Sequence, residues 1–361
     1  MDDSRARAIT GCLLGTAAGD ALGLACEGLS RRRQAKMFRT LDSYKLLPFG
    51  AFGKGMTSDD TEHTCMLAQS LIVTGHGDLA TLEKQFGRNF AWRLRFWLLG
   101  LPAGIGMATL RAILKLWLGF PAYKSGVFSA GNGPAMRAAL MGVCFGADPA
   151  RMRALVRAST RITHTDPKAE YGTFVVAYAA HLAASRENDI APNEFLELVK
   201  QHIDDTAFIE LVRNVTTSVE RGESAESFAA SIGCANGVSG YMYHTLPCVL
   251  HVWLAHQHDY RAAVTAMVRL GGDSDTTAAI VGAIVGARVG KAGIPAEWID
   301  NLVEWPRSVA WMEQLGARLA ASAHGQAGRP LWINPLSLIL RNAFFMIVVL
   351  LHGFRRMLPP Y

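Results

Sequence analysis

The sequence predicts an all-α fold, organised as one helical domain with an apolar helical extension at its C-terminal end. Apolar residues recur at helical spacing in segment after segment, whereas almost no segment shows the period-two alternation of a half-buried strand. Half of the 361 residues are hydrophobic and only 18% are charged, which provides for a sizeable core. The sequence contains neither the glycine motif of a Rossmann fold nor internal repeats. We assign residues 1–330 to the domain and 331–361 to the extension.

The N-terminal half is predicted to alternate helices with glycine-rich connections. Residues 9–27 form a tightly packed helix that ends in a turn around Gly19 and Asp20, and residues 28–56 form a loop-rich connection. Further helices are predicted from their apolar spacing at 67–73, 79–100, 110–118 and 150–160. Tryptophans in these helices are interpreted as core or interface residues.

The C-terminal half continues in helices, with a glycine-rich loop at 233–247. Beyond it, Gly282, Gly286 and Gly290 recur every four residues, which predicts a bare helix face pressed against a neighbouring backbone. Residues 336–351 are strongly apolar, but Arg341 and Asn342 interrupt them and the run is short for a membrane span. We expect a helix docked on the body or on another subunit, and the alternative is an interfacial membrane helix.

The composition indicates the charge of the substrate and the cellular compartment of the protein. The formal charge of +6 and the isoelectric point near 9.1 suit an anionic substrate, but the basic residues are dispersed and form no nucleic-acid module. The six cysteines form no CxxC pair or metal spacing, and most lie in apolar stretches, which indicates reduced thiols in the cytoplasm. The polar N-terminus has no signal-peptide pattern. We therefore expect a cytoplasmic protein.

Two acidic clusters each open an apolar helical run. In LGGDSDTT, two glycines allow a sharp turn that delivers Asp273, Asp275 and Thr276 to one helix start. Alone, this cluster is equally consistent with helix capping. The second cluster contains Ser58, Asp59 and Asp60, and its presence favours a shared site. Carboxylate and hydroxyl oxygens suit Mg²⁺, Mn²⁺ or Ca²⁺, and four adjacent carboxylates indicate two ions between them.

Other polar residues, each considered alone, indicate a binding or catalytic site less strongly. The turn Gly131-Asn132-Gly133, with Ser129 before it, precedes a helix start whose amides can bind an anion, although it also fits a plain entry loop. His164 lies in a polar loop, a context in which histidine usually has no special role. Tyr241 either flanks a substrate or closes a core, and Glu27 alone is most simply a surface residue.

In order along the chain, these segments resemble the ADP-ribosylglycohydrolase family from about residue 8 to about residue 314. The matching motifs are GDALG followed by Glu27, SDDT at 58–61, GNGPAMR at 131–137, TH at 163–164 and GGDSDT at 271–276. Each motif is modest alone, but their order is specific. The resemblance implies an all-α orthogonal bundle whose cleft holds two Mg²⁺ or Mn²⁺ ions, with an ADP-ribosylated protein or an ADP-ribose-containing small molecule as partner.

The resemblance also assigns roles to individual residues. It implies metal ligands from both clusters: Ser58, Asp59, Asp60, Asp273, Asp275 and Thr276. Glu27, Asp59, Asp60 and Asp273 are the candidates for catalytic proton transfer, and the candidates for ADP-ribose contact are Ser129, Gly131, Asn132, Gly133, His164 and Tyr241. Ser58 stands where the family usually has threonine, and the loop before Gly131 lacks an acid that some members carry, so the acid/base assignment stays open.

The implied reaction is hydrolysis of the glycosidic bond between ADP-ribose and an acceptor, with an arginine side chain favoured. One alternative is a catalytically silent protein that binds ADP-ribose or neutralises a toxin. Another is a structural helical protein whose acidic clusters are ordinary caps. Residues 96–120 and the tail beyond Trp332 are not general family features, and they are candidates for what is particular to this chain.

Overall fold

The computed structural model describes residues 2–47, 53–74, 78–322 and 327–359. Within them the chain is helical, and its β pairing is limited to isolated bridges, so the predicted all-α class is confirmed. The helices of the N-terminal half are α1 (Asp2–Gly23), α2 (Arg31–Met37), α3 (Asp59–Thr74), α4 (Leu79–Leu99), α5 (Met107–Trp117), α6 (Ala122–Ser125), α7 (Ala139–Phe145), α8 (Pro149–Arg161) and α9 (Pro167–Ser185).

The C-terminal half contributes the other helices, and short 3₁₀ turns lie at Leu24–Cys26 and Ala135–Arg137. These helices are α10 (Pro192–Lys200), α11 (Thr206–Glu220), α12 (Ala225–Ser231), α13 (Met242–Ala255), α14 (Tyr260–Arg269), α15 (Ser274–Gly293), α16 (Ala296–Asp300), α17 (Val309–Ser322) and α18 (Pro335–Arg356). The loop predicted at 233–247 is shorter than expected, because α13 already begins at Met242 and contains Pro247. Tertiary packing of the buried residues of α13 outweighs the low helix propensity of this proline.

Helices α1 and α15 form the centre of the fold and touch backbone to backbone. A Cβ atom on Gly15 would lie 2.2 Å from the carbonyl oxygen of Gly282, and one on Gly11 would lie 2.1 Å from that of Gly286. The predicted bare face is therefore confirmed at Gly282, Gly286 and Gly290, since a Cβ atom on Gly11 would also lie 2.7 Å from the Gly290 Cα atom; Gly290 has in addition a positive φ of 68° at a kink in α15. Only glycine permits this approach, because any side chain would separate the helices.

The predicted turn at Gly19 and Asp20 is wrong, because α1 continues through both residues to Gly23. A Cβ atom on Gly19 would lie 2.2 Å from the carbonyl oxygen of Ala278, so this glycine serves the contact with α15 rather than a turn. The same continuation carries Asp20, which is fully buried, to the start of α3. The site described below depends on this position.

Replacing Gly15 by alanine is expected to lower the free energy of unfolding by about 1–3 kcal/mol, because the added methyl group must push α1 away from α15. Gly353→Ala is the matched control, since this helical glycine has no atom within 4 Å of the added carbon. The control should raise stability by up to about 1 kcal/mol through helix propensity. Urea denaturation followed by circular dichroism measures both, and equal effects of the two changes would contradict the close-packing interpretation.

Helix α18 packs against the body of the protein with one of its faces, which carries both polar and apolar residues. Its buried residues are Arg341, Asn342, Phe345, Val348 and His352, and His352 Nε2 donates to the Ala25 carbonyl at 2.9 Å. With 22 residues it is longer than the apolar run seen in the sequence. In the described part of the chain, two helical segments are long and apolar enough to cross a membrane: Ser4–Cys26, whose most apolar stretch is 94% buried residues, and α18, whose most apolar stretch is 28% buried residues.

Candidate active site

The first acidic cluster is held at the start of α3 by a carboxylate from α1. Asp20 accepts hydrogen bonds from the Ser58 amide at 3.0 Å and from the Thr61 amide and hydroxyl at 3.2 and 2.6 Å. This carboxylate therefore satisfies the amides that a helix N-terminus leaves free. Burial raises the pKa of Asp20 to about 6. Asp20 lies within the GDALG motif, but its positioning role was not predicted from the sequence.

The second cluster follows a tight double-glycine turn, as predicted. Gly271 and Gly272 have φ angles of 73° and 81°, and a Cβ atom on Gly272 would lie 2.1 Å from the Val238 carbonyl oxygen. The Asp273 amide also donates to Val238, at 2.7 Å. Because the chain turns at this point, α15 begins at Ser274 with Asp275 and Thr276 in its first turn.

The two clusters meet, although they are 216 residues apart in the chain. The Thr276 hydroxyl lies 3.3 Å from Asp60 Oδ2, and the Ser58 hydroxyl donates to the same oxygen at 2.9 Å. Above them is a cavity of about 420 Å³. It is lined by most of the predicted site residues: Glu27, Ser58, Asp59, Ser129, Gly131, Asn132, Gly133, His164, Asp273, Asp275 and Thr276.

The donor set fits hard divalent cations. Burial and the neighbouring carboxylates raise the pKa values of Asp59, Asp60 and Asp275 well above the ordinary aspartate range, and burial raises that of Asp273. Asp60 Oδ1 is buried, and no hydrogen-bond partner is found for it in the described part of the chain. Among those residues no three His, Cys, Asp or Glu groups form a ready-made metal site. Cations between the carboxylates would relieve their repulsion.

The opposite wall of the cavity is the Gly131-Asn132-Gly133 turn. Asn132 Nδ2 donates to Asp273 Oδ2 at 2.6 Å and to the Thr245 hydroxyl at 2.9 Å, so the turn orients one of the acidic side chains. The Gly131 amide donates to Ser129 Oγ at 3.3 Å, and the Asn132 amide to the Gly240 carbonyl at 2.9 Å. These two amides are thus engaged within the protein, which corrects the expectation that the whole turn offers amides to a phosphate.

His164 lies directly behind this turn. A Cβ atom on Gly131 would be 2.9 Å from His164 Nε2, so glycine is needed for the imidazole to approach. Burial and the nearby Arg137 guanidinium lower the pKa of His164 to about 3, which keeps the ring neutral at physiological pH. Arg137 is itself fully buried and donates to the Gly133 carbonyl at 2.9 Å and to the Thr163 hydroxyl at 3.0 Å. It joins the turn to the His164 loop.

Two predicted residues lie at the margins of the cavity. The Tyr241 side chain is not among the lining residues, although its backbone pairs with Gly131 and its hydroxyl accepts from Lys168 at 3.0 Å. Glu27 is on the rim and exposed to solvent. Surrounding protein atoms and the charge of Asp273 nevertheless raise its pKa, and the Arg356 guanidinium lowers it in part. Its substrate-contact or catalytic role stays a prediction, as does that of Tyr241.

Comparison with known proteins identifies the family. A family model described as ADP-ribosylglycohydrolase matches residues 1–329. The chain belongs to the ADP-ribosylglycohydrolase family. The resemblance predicted from the ordered motifs is therefore confirmed, and the chain is an enzyme of the class that hydrolyses ADP-ribose linkages.

Individual relatives of this ADP-ribosylglycohydrolase cover most of its length. The ADP-ribosyl-[dinitrogen reductase] glycohydrolase of Rhodospirillum rubrum is 27% identical, over 81% of this chain and 89% of its own. The ADP-ribosylarginine hydrolase Tri1 of Pseudomonas putida is 27% identical, over 84% and 76%. A solved structure entitled ADP-ribosylglycohydrolase-related protein complex has a TM-score of 0.65 and 26% identity, and the match covers 89% of this chain and 99% of that one.

Helix α18 of this ADP-ribosylglycohydrolase lies beyond the matched residues, yet it contributes to the site. Phe345 and Val349 line the cavity beside Ala103 from the α4–α5 connection and Met107 at the start of α5. The sequence singled out both segments as unusual without indicating that they meet here. Their side chains carry no metal or catalytic chemistry, so only their placement in space shows that they shape the cleft.

Helix α18 also inserts a guanidinium beneath the first acidic cluster. Arg341 is 2% exposed and donates to the carboxylate of Glu304 at 2.7 Å and to the Thr57 carbonyl at 2.5 Å. Glu304 in turn accepts from the Thr57 amide at 3.1 Å, and Glu62 is paired with Arg307 at 2.7 Å. Thr57 immediately precedes Ser58, so these contacts fix the segment that enters the candidate metal site.

Proposed function

We propose that this enzyme hydrolyses the glycosidic bond between ADP-ribose and an acceptor side chain of an ADP-ribosylated protein, with arginine as the favoured acceptor. The single observation that carries this proposal is the contact of Thr276 with Asp60, because it brings both acidic clusters under one cavity. The names of the Rhodospirillum rubrum and Pseudomonas putida relatives support a protein substrate and arginine, respectively.

We propose that two Mg²⁺ or Mn²⁺ ions are held by the two clusters. The ligands would be the carboxylates Asp59, Asp60, Asp273 and Asp275 and the hydroxyls of Ser58 and Thr276. When bound, such ions supply anchorage for ribose hydroxyls and lower the pKa of a coordinated water. Asp20 and Asn132 keep the ligands in position, because they hold the Ser58 segment and Asp273.

The remaining steps fall to side chains around the cavity. Cleavage of an ADP-ribosyl bond passes through an oxocarbenium-like state, so the leaving group needs a proton and the attacking water must lose one. Glu27 is suited to exchange such a proton, because it lies on the exposed rim of the cavity and its pKa is raised by surrounding protein atoms and by the charge of Asp273. Asp59, Asp60 and Asp273 are the other candidates for this role. General acid/base catalysis accounts for roughly 10²–10⁴-fold of the rate.

Substrate positioning is assigned to the opposite wall. Neutral His164 offers a polar ring edge to the ADP-ribose, and the Ser129 hydroxyl and Gly133 are the remaining candidates for phosphate contact. Phe345 and Val349 line the apolar side of the cleft. We also propose that the enzyme acts in the cytoplasm, which is supported by six buried, unpaired cysteines.

Release of ADP-ribose from matched arginine-, serine- and DNA-linked substrates tests the proposal. We expect release from the arginine-linked substrate in Mg²⁺ or Mn²⁺ and its loss in chelator. Metal-dependent release from the serine- or DNA-linked substrate alone would support the proposed hydrolysis but show that the acceptor is not arginine. Retention of ADP-ribose without release from any substrate would instead identify a silent binding protein.

A further inference from the structure

The outer face of α18, which points away from the body, is apolar along its whole length. Its large side chains are between 46% and 56% exposed: Ile339, Leu340, Phe344, Ile347, Leu350 and Leu351. Between Pro335 and Phe354 the only ionisable residues are Arg341 and His352, and both are buried against the body. A contiguous apolar face of this kind marks a binding surface, because water solvates it poorly.

The apolar surface continues from α18 onto the α4–α5 connection. Asn342 Nδ2 donates to the Gly100 carbonyl at 2.7 Å, which joins the two segments. On either side of this point Leu99 is 60% exposed, Leu101 76% and Met107 61%. The exposed surface therefore involves two separate parts of the chain rather than one helix alone.

The two stretches of chain that form this surface are basic, although the carboxylate of Glu27 on the cavity rim acts on Arg356 at the end of α18. The sequence contains no aspartate or glutamate between Glu83 and Asp148, and none after Glu313, although basic residues occur throughout both stretches. Arg111 on α5, Arg329 before α18 and Arg355 at its end are exposed. An apolar face whose chain segments also carry exposed arginines is complementary to lipid headgroups that carry negative charge.

From this combination we infer that the outer face of α18, together with the α4–α5 connection, docks on an anionic lipid surface. Helix α18 lies in the plane of the interface, with its apolar residues among the acyl chains and its arginines at the headgroups. It does not span the bilayer, because Arg341 and Asn342 are bound to Glu304 and Gly100, and insertion would break these contacts. This inference goes beyond the proposed hydrolysis and does not depend on it.

A second copy of the chain fits this surface less well. A twofold interface places the same patch on both sides, so each arginine-flanked surface would face another of the same sign. Neither stretch contributes an acidic residue that would pair with these arginines. A lipid surface supplies the missing negative charge.

Docking at this face would place the candidate cleft beside the lipid. Phe345 and Val349 point into the cavity from the same helix whose Phe344 and Ile347 are exposed on the outer side. The helix is therefore a shared wall between the lipid-facing surface and the cleft. Substrates held at the same lipid surface would have a short path to the site.

Vesicle flotation with the purified full chain tests the inference. Vesicles of phosphatidylcholine alone are compared with vesicles that also contain an anionic phospholipid, at low and at high salt. We expect binding to the anionic vesicles, weakened by salt. The double change Leu340→Glu and Ile347→Glu should weaken it at least tenfold, because two apolar anchors become acidic.

The matched control is Ala207→Glu with Asn214→Glu, which has the same seven-residue spacing on exposed positions of α11, a helix packed on α10 and α13. This control should bind within twofold of the wild type, and both variants should keep the wild-type melting temperature. Absence of vesicle binding would overturn the inference, as would equal loss in both double variants. A solution dimer that only the α18 change dissociates, without vesicle binding, would identify a second copy as the occupant.

Discussion

Asp275→Asn is expected to reduce ADP-ribose release roughly 100-fold or more, because it removes a charged ligand from the proposed metal pair while keeping the side-chain shape. Asp275 is 5% exposed and lines the cavity. Its pKa is raised well above the ordinary range by burial first, and then by the charges of Glu27, Asp60 and Asp273. The rate is measured on the best substrate in saturating Mg²⁺.

The same variant should change stability in opposite directions with and without metal. In chelator, Asp275→Asn should raise the melting temperature, since it removes one of several repelling buried carboxylates. In Mg²⁺ the wild type should gain more stability than the variant, because binding to the native state stabilises it. Asp300→Asn, the same chemical change at an exposed position, should alter neither quantity. A melting temperature insensitive to Mg²⁺ and Mn²⁺ in both proteins would contradict the proposed metal site.

Arg341→Ala is expected to lower the free energy of unfolding by about 3–5 kcal/mol, the range for a buried ion pair that loses one partner. Glu304 would then lack its guanidinium partner in a position only 4% exposed, and Thr57 would lose the donor to its carbonyl. Denaturation in urea, followed by circular dichroism, measures the change.

Two further variants separate this effect from a general loss of packing. Arg355→Ala, at the exposed end of the same helix, should change the free energy of unfolding by less than about 0.5 kcal/mol. Combining Arg341→Met with Glu304→Gln should recover part of the loss, because both buried charges are then removed. A loss below about 1 kcal/mol for Arg341→Ala would show that the guanidinium is not paired as described.

The sequence predicted the helical class from local patterns, and it predicted the joining of the acidic clusters because each cluster carries the carboxylates and hydroxyls that a shared cation requires. Helical spacing of apolar residues is repeated along the chain, and the Gly271-Gly272 turn has one evident conformational use. The stripe of glycines in α15 likewise predicted contact with another backbone. The identity of that partner, α1, was not visible, and Gly19 was misinterpreted as a turn because a glycine beside an aspartate commonly indicates one.

The parts that escaped prediction depend on contacts between distant segments. Asp20 looked like a turn residue, yet its role is to hold Ser58 and Thr61. Arg341 looked like an interruption in an apolar run, yet it is paired with Glu304 from another element. Phe345 lines a cleft whose polar residues all lie earlier in the chain. No local pattern specifies such partners, because they are fixed only when the whole core is assembled.

The pairing of α1 with α15 has a consequence for the order in which this protein folds. Gly23 accepts a hydrogen bond from Ser274 at 2.9 Å, although 251 residues separate them. At about 5–20 residues per second, the ribosome synthesises α1 on the order of ten seconds or more before it synthesises α15. During translation the nascent chain therefore carries an apolar helix that can pack on α3 and α7 but lacks α15, with which it forms its largest contact. High contact order of this kind slows folding, and it makes the nascent N-terminal helix a natural client for chaperones.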